Sequence, residues 1–68
     1  MKYSDPIFDE VVEEIIKCER VSIPFLQRRF AIGYTRAERL LTQLVQFGYV
    51  EKGKNYTPRK VIKNKLLQ

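Results

Sequence analysis

The apolar positions of the chain fall into three helical patterns followed by two short extended ones. In the first, apolar residues recur every three or four positions over residues 7–16 and predict an amphipathic helix with an acidic outer face. Asp5 and Pro6 suit an N-cap and a first helical position, so they predict that this helix starts there. Glu13 and Lys17 have the spacing of an ion pair one helical turn apart.

A second, shorter helix is predicted from about Pro24 to Phe30, after an extended stretch over residues 20–23. Ser22 is the expected N-cap residue. The helix is followed by a tight turn in which Gly33 is expected to supply backbone freedom, while Ile32 fills the core between two helices.

The third helix is predicted from about Tyr34 to Phe47, with Gly48 as the residue that ends it. Its inward face is expected to hold Ala37, Leu40, Leu41, Leu44 and Phe47. Its outward face is expected to hold Thr35, Arg39, Thr42 and Gln46, flanked by Arg36 and Gln43 on one side and Glu38 on the other. This outward face is therefore rich in hydrogen-bond donors.

Two strands are predicted next, over residues 49–52 and 56–62, joined by a basic turn at residues 53–55. Pro58 indicates that the second strand starts late, near Arg59, and lies at a sheet edge. This order predicts a mostly helical α+β domain, a winged helix-turn-helix of three helices and a small β-wing. A three-helix bundle with a disordered tail is the alternative. We expect one domain over residues 1–68, with a core of about 5–62 and a C-terminal tail of 63–68.

Composition excludes several classes of protein. The 68 residues contain no His and one Cys, which leaves no zinc finger, disulfide framework or His-based acid–base site. We therefore expect no metal, no cofactor and no enzyme activity. No stretch has the length of a membrane span, and the N-terminus lacks the apolar segment of a signal peptide, so a cytoplasmic protein without membrane contact is predicted.

The net charge of +5 conceals an uneven distribution. Residues 1–19 hold six acids and two bases, a net charge of −4, whereas residues 20–68 hold eleven bases and two acids, a net charge of +9. A basic segment of this size favours a polyanionic partner, and the donor-rich third helix makes double-stranded DNA the expected one.

In a helix-turn-helix, the N-terminal half of the second helix of the motif contacts base edges in the major groove. Thr35, Arg36 and Arg39 are the candidates, and arginine predicts guanine contacts; Thr35 has the alternative of only capping the helix. Gln43 lies farther along and is expected to reach only phosphate. Glu38 has three possible roles: it accepts a hydrogen bond from cytosine, restrains a neighbouring basic side chain, or repels phosphates. The expected phosphate contacts are Arg28, Arg29, Lys52, Lys54 and Asn55.

The run Q-R-R-F-A-I-G-Y-T-R-A-E-R-L-L, residues 27–41, closely resembles the C-terminal gamma domain of the FtsK/SpoIIIE-type DNA translocases. The family's pattern there is Q-R-x-F-x-I/V-G-Y-x-R-A-x-R followed by two aliphatic residues. The likeness extends upstream to residues 5–8 and downstream to residues 48–50 and 58–61, so it spans nearly the whole chain.

The resemblance implies a winged helix that recognises short, G-rich, oriented sites on chromosomal DNA. Such a domain loads and directs a hexameric ATP-driven motor during chromosome segregation and cell division, and in some relatives it contacts a tyrosine recombinase. Carried over by position, the base-reading candidates are Thr35, Arg36 and Arg39, and the supporting ones are Arg28, Lys54 and Arg59.

This sequence departs from the family pattern at Glu38, where alanine is common, and at Lys60, where an acid is frequent. The first departure implies a different preferred site. No Walker-type glycine loop occurs in the 68 residues, so the chain is not expected to translocate by itself. Both an excised domain and a free-standing one agree with the sequence.

Two other functions remain open from the sequence. One is a winged helix that docks a protein, such as a recombinase or the motor, through the same face or through Tyr49, Tyr56, Leu66 and Leu67. The other is a small free-standing transcriptional or phage regulator. A steep dependence of DNA affinity on salt distinguishes DNA binding from protein docking.

Overall fold

A computed structural model describes residues 5–54 and 57–62. Its three helices are α1 (Phe8–Ile15), α2 (Ile23–Phe30) and α3 (Tyr34–Gln46), and its two strands are β1 (Arg20–Val21) and β2 (Arg59–Lys60). The predicted mostly helical α+β fold is confirmed. The predicted tail, residues 63–68, lies outside the described residues, and no helix within them is long and apolar enough to cross a membrane.

Helix α1 starts later than predicted. The Asp5 carboxylate accepts a hydrogen bond from the Ile7 N–H at 3.0 Å, and the Asp5 carbonyl accepts from the Phe8 N–H at 2.9 Å. These bonds close a turn before the helix instead of forming its first turn. At the other end of α1, Lys17 Nζ lies 3.8 Å from Glu14 Oε2, so the ion pair predicted with Glu13 forms with the neighbouring acid.

Helix α2 ends at Phe30, as predicted, but the turn that follows it differs from the prediction. The Ser22 hydroxyl accepts from the Phe25 N–H at 3.2 Å, which confirms the N-cap. The backbone reversal after the helix falls on Ala31, whose φ of 55° is left-handed, whereas Gly33 has a φ of −81°. The prediction that Gly33 supplies the backbone freedom is therefore wrong, because the chain turns at the C-cap two residues earlier.

Ala31→Gly should stabilise the domain. A left-handed conformation costs an L-residue roughly 1–2 kcal/mol, and the greater freedom of glycine in the unfolded chain offsets part of the gain. We expect urea denaturation to show an increase of about 0.5 kcal/mol in the free energy of unfolding. Ala31→Ser retains a Cβ and should show no increase; a loss of stability in the glycine variant would contradict the interpretation.

Helix α3 ends in a Schellman motif around Gly48, whose φ is 85°. The Gly48 N–H donates to the Val45 carbonyl at 3.1 Å, and the Tyr49 N–H donates to the Leu44 carbonyl at 2.9 Å. Phe47 was predicted to face inward, and this is wrong, because its position at the C-cap leaves its side chain at the rim with 49% of its surface exposed. Its ring packs edge-on against Phe8 at 5.5 Å.

The wing, described over residues 49–54 and 57–62, pairs with β1 through β2. Strand β2 pairs antiparallel with β1, and on its other side Val50 forms a bridge with Val61. The Glu51 N–H also donates to the Lys60 carbonyl at 3.0 Å. The second strand begins at Arg59, as predicted. It does not lie at an edge, because β1 pairs with one side of it and the segment at Val50 and Glu51 contacts the other side.

One core joins the helices to the wing. Its buried members are Phe8, Val11, Ile15, Val21, Ile23, Leu26, Ala37, Leu40, Leu41, Leu44, Val50 and Val61. Val50 and Val61 belong to the wing and are as buried as the helical leucines. The alternative of a three-helix bundle with a disordered tail is therefore wrong for residues 57–62.

Candidate nucleic-acid interface

The N-terminal half of α3 presents polar side chains to solvent. Thr35 and Arg39 are exposed, and the side chain of Arg36 is 42% exposed. The N-cap residue is Gly33, and no side chain caps the helix, so the alternative that Thr35 serves as a helix cap is wrong. This half of the helix therefore carries the three predicted base-reading residues close together.

Arg36 is bound by a carboxylate from the start of the chain. Its Nε donates to Asp5 Oδ2 at 2.8 Å, and its Nη2 donates to Asp5 Oδ1 at 2.7 Å. The hydrogen bond from Arg36 holds the pKa of Asp5 below its usual value, although burial acts to raise it. The positive charge of Arg39 also lowers this pKa. Asp5 is thus a charged residue of the site that sequence reasoning assigned only to helix capping.

The C-terminal half of α3 offers fewer polar groups to a ligand. The Thr42 hydroxyl donates to the Glu38 carbonyl of its own helix at 3.0 Å. Gln43 is half-buried, and its Oε1 accepts no hydrogen bond from the residues that the structure describes. The candidate residues of α3 are therefore concentrated in its first two turns.

The two arginines of α2 differ in their surroundings. Arg29 Nε donates to Glu14 Oε1 at 3.1 Å, and its Nη2 lies 3.0 Å from Glu14 Oε2. Its guanidinium also lies 5.6 Å from the centre of the Phe30 ring. Arg28 is exposed on the same helix. Arg29 is thus tied to the acidic helix α1, which sequence spacing could not indicate.

The basic residues of the wing separate into exposed and buried ones. Lys52 and Lys54 are exposed, and Asn55 lies outside the described residues. Arg59 is only 9% exposed, and a Cβ placed on Gly53 would lie 3.4 Å from the Cγ and Cδ of Arg59. The aliphatic part of the Arg59 side chain therefore packs against Gly53 in the turn of the wing. Arg59 does not lie at the surface with Lys52 and Lys54.

No group of three or more Cys, Asp or Glu side chains within residues 5–54 and 57–62 could hold a metal ion. The site consists instead of the polar N-terminal half of α3 together with exposed basic residues on α2 and on the wing. Together with the order of helices and strands, this arrangement defines a winged-helix domain.

Comparison with known families agrees with this class. The model of the FtsK gamma domain matches residues 2–64. The chain therefore belongs to the FtsK gamma domain family, a family of DNA-binding domains of DNA translocases.

Similar proteins carry the names of whole translocases. The chain is 42% identical to DNA translocase SpoIIIE of Bacillus subtilis over 62 residues, which is 91% of this chain and 8% of that protein. It is 50% identical to DNA translocase FtsK of Vibrio vulnificus over 46 residues, 68% of this chain and 5% of that protein. It is 38% identical to DNA translocase FtsK of Bacillus anthracis over 60 residues, 88% of this chain and 8% of that protein. The chain thus spans less than a tenth of these relatives.

Proposed function

We propose that this domain binds double-stranded DNA sequence-specifically, with the N-terminal half of α3 in the major groove and the wing on the phosphate backbone. The observation that carries the proposal is the exposed polar surface formed by Thr35, Arg36 and Arg39 at the start of the helix that a winged helix inserts into DNA. Membership of the gamma domain family supports it.

Guanine is the base that these arginines fit. The planar fork of an arginine side chain pairs with O6 and N7 of guanine, the commonest specific contact in the major groove. Arg36 and Arg39 are three residues apart, slightly less than one helical turn, so they suit neighbouring guanines. We infer a preferred site that is G-rich and read in one orientation.

We assign the phosphate contacts to exposed basic side chains on α2 and on the wing. Arg28 on α2 and Lys52 and Lys54 on the wing are exposed, while Arg29 is engaged by Glu14. The neutral Asn55 can add a hydrogen bond but neutralises no phosphate, so these three charged contacts predict that the logarithm of the affinity falls with the logarithm of the salt concentration at a slope of about −3.

The larger process is DNA translocation in chromosome segregation. The relatives named above are DNA translocases, and this chain spans under a tenth of each. We assign to it the recognition of DNA that directs a translocase, and we place the ATP-driven motor outside these 68 residues. Contact with a tyrosine recombinase belongs to the same proposal.

Selection from a random duplex library tests the proposal. We expect an asymmetric, G-rich consensus and the steep salt slope given above. A shallow slope without any consensus would contradict DNA reading and would favour the docking of a protein partner.

Lys54→Ala should weaken binding to every duplex alike. A phosphate contact carries no sequence information, so its loss should reduce the salt slope by about one and leave the preference for the selected site unchanged. The measurement is fluorescence anisotropy with the selected and a scrambled duplex at several salt concentrations. Lys17→Ala removes the same charge at the far end of α1 and should leave the slope nearly unchanged; a loss in Lys54→Ala confined to one duplex would contradict the assignment.

A further inference from the structure

The contact between Asp5 and Arg36 has the geometry of a fixed support. Both carboxylate oxygens accept from the guanidinium, at 2.7 and 2.8 Å, in a bidentate pair. Asp5 is only 7% exposed, while the side chain of Arg36 is 42% exposed. The acid is therefore embedded in the domain, and the arginine extends from it toward solvent.

The carboxylate is itself held in place by the backbone. Asp5 Oδ1 accepts from the Ile7 N–H, and the Asp5 carbonyl accepts from the Phe8 N–H at the start of α1. These two local bonds fix the position of Asp5 relative to α1, and the core fixes α1 relative to α3. A long, flexible arginine side chain is thus tied to a rigid element 31 residues away.

Asp5 binds only one of the two edges of the Arg36 guanidinium that can pair with two acceptors. Arginine has two N–H pairs that can bind a partner with two acceptors, one formed by Nε and one Nη, the other by the two Nη groups. Asp5 binds the pair that includes Nε. The pair formed by Nη1 and Nη2 lies at the tip of the side chain, and its geometry matches O6 and N7 of guanine.

We propose that Asp5 is a positioning residue for DNA reading: it holds Arg36 so that the Nη1 and Nη2 edge of the guanidinium meets guanine. The inference rests on the proposed function. A side chain that is ordered before binding loses less conformational entropy on binding, so the support increases affinity for the correct base. It also fixes the direction of the fork, so it increases discrimination against other bases.

The charge of Asp5 gives this role a distinctive signature. A carboxylate at a DNA-binding surface repels phosphates, so its removal alone should increase affinity for any duplex. A positioning role acts in the opposite direction on the preferred site. Neutralising Asp5 should therefore increase affinity for random duplex while it decreases the preference for the selected site.

The experiment measures dissociation constants of the 68-residue chain for the selected duplex and for a scrambled one. Wild type is compared with Asp5→Asn, Arg36→Ala and the double variant, at one salt concentration. We expect Asp5→Asn to reduce the ratio of the two affinities about tenfold, within the range of one bidentate base contact. In the Arg36→Ala background the same change should alter the ratio less than about twofold, because the two residues act as one unit.

Urea denaturation of each variant separates positioning from mere support of the fold. Equal losses on both duplexes, in proportion to lost stability, would overturn the positioning role. An increase in the ratio for Asp5→Asn would also overturn it, since Asp5 would then withhold Arg36 from DNA. A wild type without site preference would overturn the proposed function, and the positioning role with it; a wild type with site preference and an unaltered Asp5→Asn ratio would overturn the positioning role alone.

A measurement on wild type keeps the test valid if Asp5→Asn does not fold. The Nε–H of Arg36 should give a slowly exchanging ¹⁵N-resolved NMR signal in the free protein, because it is bound to a carboxylate. We expect the signal to persist when the selected duplex is added. Its loss on binding would show that the pair opens, which contradicts the proposal.

Discussion

Arg39→Ala should weaken binding to the selected duplex by about 1–3 kcal/mol and reduce the preference for it over random sequence. Arg39 is exposed in the second turn of α3, where a recognition helix contacts base edges. Removing a guanidinium that binds guanine leaves O6 and N7 of that base without their partners, while binding to random duplex loses only one charge. Competition experiments with duplexes substituted at single positions measure this loss.

Arg28→Ala is the matched control for Arg39→Ala. It removes another exposed arginine, on α2, which we assign to phosphate, so the loss should be similar for every duplex. The preference of Arg39→Ala should also relax at one base position, not along the whole site. An unchanged preference in this variant would remove Arg39 from the set of base-reading residues.

Leu40→Ala should have the largest effect on stability. Leu40 is completely buried at the middle of α3, among the residues that join the helices and the wing. Truncating a buried leucine removes packed methyl groups and leaves a cavity, at a cost of about 2–5 kcal/mol. A domain of this size has little reserve, so a large unfolded population is expected at 25 °C, visible in the urea midpoint and in circular dichroism.

Leu40→Met provides the control for the loss of volume. It retains the size and apolar character of the side chain, so it should cost less than about 1.5 kcal/mol. DNA affinity of Leu40→Ala, corrected for the folded fraction, should equal that of wild type, because the side chain lies in the core. A loss of stability below about 1 kcal/mol in Leu40→Ala would contradict this account of the core.

The sequence predicted most of the fold because its boundary signals are local. Ser22 caps α2 by a hydrogen bond to a residue three positions away, and Gly48 ends α3 through a conformation that glycine adopts readily. Alternating patterns and Pro58 placed the start of β2 at Arg59. Each of these features depends on a few neighbouring residues, so it can be read from a single chain.

Long-range contacts could not be predicted in the same way. The pair of Asp5 with Arg36 joins residues 31 positions apart, and that of Glu14 with Arg29 joins residues 15 apart. No spacing rule identifies which acidic side chain pairs with which basic side chain at such separations. The position of Phe47 failed for a related reason, because periodicity assigns a face of the helix but does not indicate where the packed core ends.

The sequence predicted which types of residue make up the candidate site better than it predicted their arrangement. Thr35, Arg36 and Arg39 do lie together on α3, as helical periodicity requires. Periodicity could not show that Arg59 lies beneath the turn of the wing while Lys52 and Lys54 are exposed. That distinction depends on the return of the chain along β1, which only the tertiary structure contains.

The double anchorage of the wing makes its loop a site for engineering. The Val50–Val61 bridge and the Glu51–Lys60 hydrogen bond fix both ends of the segment that carries Lys52 and Lys54. Lengthening a loop whose ends are already fixed costs little free energy, since the closure entropy grows only with the logarithm of its length. We expect that extra lysines or a fluorescent label inserted there will tune the strength of DNA binding separately from the choice of sequence that we propose for α3.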